Sequence, residues 1–166
     1  MLRRRDFVIR ASTVFGVLAV WRNLIDVPAF ARSNYSKKGE LMIKSARDLL
    51  EKYKVEINKH DFNLLVPLLS EECTFWFSSG TYKGLEETRK AFEKTWGMIK
   101  SEVYSIKDVD WVAESDTATV CTYTFLWSGL VNGEKREGTG RGTSCFRKEN
   151  EGWKIVHEHL SPFPKP

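Results

Sequence analysis

Residues 102–162 read EVYSIKDVDWVAESDTATVCTYTFLWSGLVNGEKREGTGRGTSCFRKENEGWKIVHEHLSP. β-Branched and aromatic residues dominate, and turn residues punctuate the run, so it reads as strand after strand. Glu114-Ser115-Asp116 and Glu149-Asn150-Glu151-Gly152 mark two turns. Asn132-Gly133 is the strongest hairpin signal, because both residues tolerate positive φ. The spacing predicts strands over 102–113, 117–129, 137–148 and 153–161. Pro162, Pro164 and Pro166 end the series, since proline cannot donate to a ladder. Strands of about 10–12 residues are longer than the usual 5–6 and favour a strongly curved antiparallel sheet.

Upstream of this meander the period changes. Leu41, Ala46, Leu49, Leu50, Tyr53 and Ile57 recur at three- and four-residue steps, which predicts a helix over 40–59. Asp61 caps a second, short helix over 62–69, and Pro67 forces that helix to be irregular. Residues 74–77 read as a strand, stopped by Ser78-Ser79-Gly80, and 81–83 pair back as a hairpin. A third helix over 85–100 buries Ala91, Phe92, Thr95, Trp96 and Ile99. Three helices covering one face of a curved antiparallel sheet make an α+β domain with space enclosed between the layers.

The chain has 166 residues, which suits one domain. A 42% hydrophobic and 13% aromatic content supports a core and excludes disorder. Net charge is +4, but residues 1–31 hold five arginines against two aspartates, leaving only +1 for the remainder. No basic stripe marks the body, so nucleic acid is not an expected partner. Arg3-Arg4-Arg5 precedes an apolar run, 11–21, too short to span a bilayer, and Pro28-Ala29-Phe30-Ala31 offers cleavage after Ala31. Residues 1–31 thus read as a signal peptide, 32–38 as a linker and 39–163 as the folded domain. Arg4-Arg5-x-Phe7-Val8 resembles the twin-arginine motif, with an ordinary secretory signal as the alternative. The expected location is periplasmic or secreted, with no membrane insertion after cleavage.

Two stretches, KHDFNLLVPLLSEECTFWFSSGTYKGLEETRKAFEKTW at 59–96 and GTGRGTSCFRKENEGWKIVHEHLSPFP at 138–164, resemble the nuclear transport factor 2-like superfamily, in its SnoaL-like (polyketide-cyclase-like) and kinase-association-domain-like branch. The resemblance implies a cone-shaped α+β barrel with a pocket in its mouth, usually dimeric through the outer sheet face. That superfamily includes isomerases, dehydratases, cyclases, hydrolases and binding modules, so fold does not name function. Aligned with its ketosteroid isomerases, Tyr53 matches a tyrosine that donates to a developing oxyanion, while the aspartate base falls on Phe77. Tyr53 also lies on the apolar face of the first helix, and a core role is the preferred reading. Of the pocket arginines of the kinase association domain, one falls on Leu160 and another near Arg141.

Arg141, between Gly140 and Gly142, could fork onto a carboxylate or lie solvated on the outer face. Strict alternation places His157 and His159 with Trp153, Ile155 and Ser161, and Glu158 on the opposite face with Val156 and Leu160. The histidines read as structural or as pocket groups; no spacing completes a metal site. Tyr123 and Trp127 are candidates for an apolar pocket wall. No Ser-His-Asp order, phosphate loop or dinucleotide fingerprint occurs, and no cofactor is implied. Cys121 would face Cys145 only if the Asn132-Gly133 turn carried an extra residue. The expected function is an exported small-molecule-binding protein for an apolar or weakly acidic ligand. The alternatives are a lyase-, isomerase- or cyclase-type enzyme, or an oligomerisation or partner-binding domain. A homodimer is expected through an aromatic-rich outer face.

Overall fold

The computed structural model describes residues 43–164. The signal, the linker and the first residues of the expected opening helix lie outside that range. Helix α1 (Ala46–Glu56) begins at a capping box. The Ser45 hydroxyl accepts from the Asp48 amide at 3.2 Å, and the Asp48 carboxylate accepts from the Ser45 amide at 3.1 Å. Its buried face is Ala46, Leu49, Leu50 and Tyr53. Single 3-10 turns follow at Ile57–Lys59, Phe62–Leu64 and Val66–Leu68. The last two replace the expected short helix, with Asp61 capping the first of them and Pro67 inside the second.

Strand β1 (Leu69–Phe77) turns into β2 (Gly80–Lys83), and α2 (Gly84–Met98) leads into the meander. This is β3 (Ile99–Glu114), β4 (Ala118–Val131), β5 (Glu134–Glu149) and β6 (Gly152–Pro162). One six-stranded sheet results, in the order β2-β1-β6-β5-β4-β3. β1 runs parallel to β6, and every other pairing is antiparallel. The strands are longer than expected, and the β3 register shifts against β4 at three places. Ser101 and Asp108, both at φ 52°, sit in two of these bulges. Bulges bend a strand and increase its twist, which curls the sheet around the helices.

The inner face of the sheet is aromatic. β4 contributes Tyr123, Phe125 and Trp127, and directly opposite on β5 stand Gly142, Gly140 and Gly138. A Cβ on Gly142 would lie 2.1 Å from the Tyr123 ring, and one on Gly140 would lie 2.6 Å from the Phe125 ring and 2.3 Å from the Ser161 carbonyl. The close approach expected at these glycines is therefore made by the aromatic rings of the next strand.

Turning the aromatics inward removes the premise of an aromatic-rich outer face. Of the exposed large apolar side chains, Trp76 on β1 and Val103 and Val112 on β3 lie on that face. The hairpin turn holds two residues, since Val131 pairs with Glu134. Cys121 therefore faces Ser144, Val120 faces Cys145, and Cys73, Cys121 and Cys145 are free thiols.

Candidate functional site

Between α1, α2 and the concave sheet lies a cavity of about 350 Å³. That is near the lower end of the roughly 300–1,000 Å³ usual for small-molecule sites. Phe77, Phe92, Trp96, Phe125, Trp127 and Leu160 supply its apolar walls, and Tyr53, Tyr104, Glu102 and Glu158 its principal polar groups. Among the described residues, no lysine, arginine or histidine lines it.

Glu158 is the centre of the buried polar cluster. It is 1% exposed. Tyr53 donates to Oε1 at 3.3 Å, while Tyr123 and Ser144 donate to Oε2 at 3.0 and 3.2 Å. The Tyr123 and Ser144 hydroxyls also lie 3.2 Å apart. Burial raises the Glu158 carboxyl to about 7, and the three hydroxyl donors offset only part of that rise. The same burial, with the Glu158 carboxyl next in importance, pushes the Tyr53 and Tyr123 phenols well above their usual range. They remain neutral donors.

A second carboxyl stands apart. Glu102 is 9% exposed, and burial lifts it to about 7. Among the described residues, no hydrogen bond or ion pair holds it. Tyr104, two residues on along the same strand face, has a buried hydroxyl beside Tyr123, and burial pushes its phenol well above the usual range. Its ring stacks on Phe125, centroids 6.1 Å apart. Asn58 fixes its backbone, donating to the Tyr104 carbonyl at 2.9 Å and accepting from its amide at 2.8 Å.

Four of the residues anticipated from sequence meet here. Tyr53 and Glu158 line the cavity, Trp127 forms part of its wall, and Tyr123 reaches it through Glu158. The preferred reading of Tyr53 as core alone is incomplete, since its hydroxyl serves the Glu158 carboxyl. Phe77, which the resemblance aligns with the isomerase base, lines the cavity.

Three residues are not in the cavity. Arg141 is exposed on the outer face, because Gly140, Gly142 and Ser144 hold the inward positions of β5. His157 and His159 also face outward. The strict alternation expected along β6 fails at Val156: Ile155 pairs with Phe146 and His157 with Cys145, so Val156 is an extra residue. That bulge puts Trp153, Ile155 and Glu158 on one face and sends both histidines to the other. There His157 Nδ1 donates to the Thr74 carbonyl at 2.7 Å, and Trp76 packs edge-on against both rings. With Arg141 outside, no cationic side chain among the described residues is left to hold an acidic ligand.

Ser144, Glu102 and Tyr104 were not anticipated. Alternation of Glu102, Tyr104 and Ile106 was the available signal, but a glutamate in a strand ordinarily marks the solvent face.

The SnoaL-like domain family model matches residues 46–166. No match is found among curated proteins. Among solved structures, a nuclear transport factor 2-like superfamily protein from Salmonella enterica serovar Typhimurium is similar at 24% identity and a TM-score of 0.65, over 71% of this chain and 88% of that one. A Xanthomonas campestris protein, assigned as a calcium/calmodulin-dependent protein kinase II association domain, is similar at 17% identity and a TM-score of 0.64, covering 72% and 86%. LinA is similar at 16% identity and a TM-score of 0.62, covering 72% and 91%. These likenesses are to the fold. The aromatic-lined cone around Glu158 is thus the interior of a nuclear transport factor 2-like fold, and the chain belongs to the SnoaL-like domain family.

Proposed function

We propose that this protein is an exported binding module that holds a small, largely apolar molecule in the cone. The observation that carries the reading is the cavity itself, about 350 Å³, walled by aromatic rings with a few polar groups, chiefly Glu158, Glu102, Tyr53 and Tyr104. Such a site gains affinity from apolar burial, and a few placed polar groups give orientation. The acidic-ligand part of the expectation drops out, because the described lining holds two carboxyls and no cation. Export rests on the charged, apolar and small-residue order of residues 1–31.

A second reading is an enzyme of the lyase, isomerase or cyclase type. It is favoured by two carboxyls near neutrality in one cavity, where a group can both take and give a proton. Phe77 argues against steroid isomerisation, since the aligned base is missing and Phe77 adds apolar surface instead. The deciding experiment uses a Δ5-3-ketosteroid and 2-naphthol with the purified protein. Calorimetry should show saturable binding of 2-naphthol, weakened in Phe77→Asp by a carboxylate in a dry wall, and the dienone absorbance should stay flat. No saturable binding would sink the binding reading. Turnover that disappears in Glu158→Gln would replace it with the enzyme.

A further inference from the structure

The cavity's charge balance is one-sided. Two carboxyls reach it, Glu158 from β6 and Glu102 from β3, and no basic side chain among the described residues lines it. The two differ in how they are satisfied. Glu158 accepts three hydroxyl donors. Glu102 has no donor among the described residues, and its carboxyl oxygens open onto the cavity rather than being sealed in protein. A buried carboxyl without a donor or counter-ion is costly, and native proteins pair such groups. The Tyr104 hydroxyl stands on the same strand face, next to Tyr123, and burial keeps it a neutral donor. Glu102 thus stands on a wall that also carries aromatic rings: Tyr104, two residues on, pairs with Trp127 of β4 and stacks on Phe125.

Aromatic walls have a second property. A ring carries negative charge on its face and attracts a cation within about 6 Å, tryptophan most strongly. Trp96 and Trp127 both line this cavity. Neutral apolar ligands would use the rings but leave Glu102 unpaired. An anion would be repelled by both carboxyls.

We propose that the ligand is an organic cation, an ammonium group on an apolar body, with Glu102 as its counter-ion and the tryptophan-bearing walls around its alkyl substituents. This names the ligand class for the site and rests on the binding reading. Glu102 supplies the charge that the protein itself leaves unmatched. Tyr104, which can donate, is left for an oxygen elsewhere on the ligand. Burial keeps water from competing for the ammonium, which strengthens the pair. A permanently charged ammonium removes any question of the ligand's own protonation.

The test compares two molecules of one shape, phenyltrimethylammonium and tert-butylbenzene, which differ by a charged nitrogen in place of carbon. Calorimetry and tryptophan fluorescence on the full-length protein at about pH 8.5, where both carboxyls are ionised, read the affinities. The cation should bind at least about tenfold more tightly than its neutral isostere. Glu102→Gln should remove that preference while leaving the isostere's affinity unchanged or improved. If tert-butylbenzene binds the wild-type protein as tightly as the cation, the cation proposal is overturned and the apolar binding reading stands. If the cation binds the Glu102→Gln variant as well as it binds wild type, Glu102 is not the counter-ion and the proposal fails. If neither molecule binds, both readings fail. The wild-type comparison decides the ligand class even if the variant does not fold.

Discussion

A carboxylate loses its hydration at position 158, and three hydroxyls only partly replace it. That imbalance links the site to stability. The Glu158 carboxyl rises from an unperturbed 4.5 to about 7 in the folded protein. The folded state therefore binds a proton that the unfolded state has already lost between those values. The sign follows: this contribution to stability is fully present below about pH 4.5 and is lost as pH rises through about 7. Raising pH from about 5.5 to about 8.5 should cost about 2 kcal/mol through Glu158 alone. Glu102, raised to about 7 by the same cause, acts in the same direction. Urea unfolding of wild type and Glu158→Gln across this range measures the effect. The glutamine keeps an acceptor for Tyr123 and Ser144, and the Tyr53 hydroxyl can rotate to accept from its amide. The variant should therefore show a flatter pH dependence. Identical slopes would mean that Glu158 is not the buried acid described here.

At the scale of the strand, β5 is shaped by what stands opposite it. Its inward glycines make room for Tyr123, Phe125 and Trp127, so the glycine pattern builds the aromatic wall of the cavity. Gly140 is the tightest of the three in one respect: its Cβ would meet the Ser161 carbonyl at 2.3 Å, a backbone atom, as well as the Phe125 ring. Gly140→Ala should therefore destabilise by roughly 2–3 kcal/mol, as overpacking does. Arg141→Ala, at the exposed position beside it, should stay within about 0.5 kcal/mol. Denaturant midpoints of the two variants test this, and equal losses would refute the packing account. The same strands show what is legible in sequence. The meander and its two-residue hairpin are readable because turn residues and strand formers separate cleanly along 102–162. Tyr53 is legible from its place on the apolar face of the first helix, whereas Glu158 is legible as a candidate but not on its true face. The Val156 bulge is not, because Trp-Lys-Ile-Val-His-Glu-His alternates without any residue that marks a slip. One extra residue then exchanged the faces of the histidines and their neighbours. Glu102 escaped notice for a related reason: only the fold makes a strand glutamate an inward one.

At the scale of the whole molecule, the cysteines bear on the export proposed above. The described residues fold without a disulfide: the hairpin register sets Cys121 against Ser144, and all three thiols are free. Cys73 and Cys121 are buried, and burial raises both thiols above their ordinary range, so they are poor nucleophiles for oxidants. On the export reading proposed above, the domain has no disulfide to wait for. It suits a route that moves proteins already folded, and the Arg4-Arg5-x-Phe7-Val8 segment resembles the address for that route. No helix among the described residues is long and apolar enough to cross a membrane. The prediction is that replacing Arg4 and Arg5 with lysine leaves folded, protease-resistant precursor in the cytoplasm. Lysine keeps the charge but lacks the planar fork of the guanidinium, so a loss of export would reflect recognition rather than charge. Fractionation of a bacterial host that expresses both forms reads the outcome. Undiminished periplasmic accumulation of the double-lysine form would rule out the twin-arginine route and leave the general secretory pathway, in which the chain would have to fold after crossing with its three thiols exposed to oxidation.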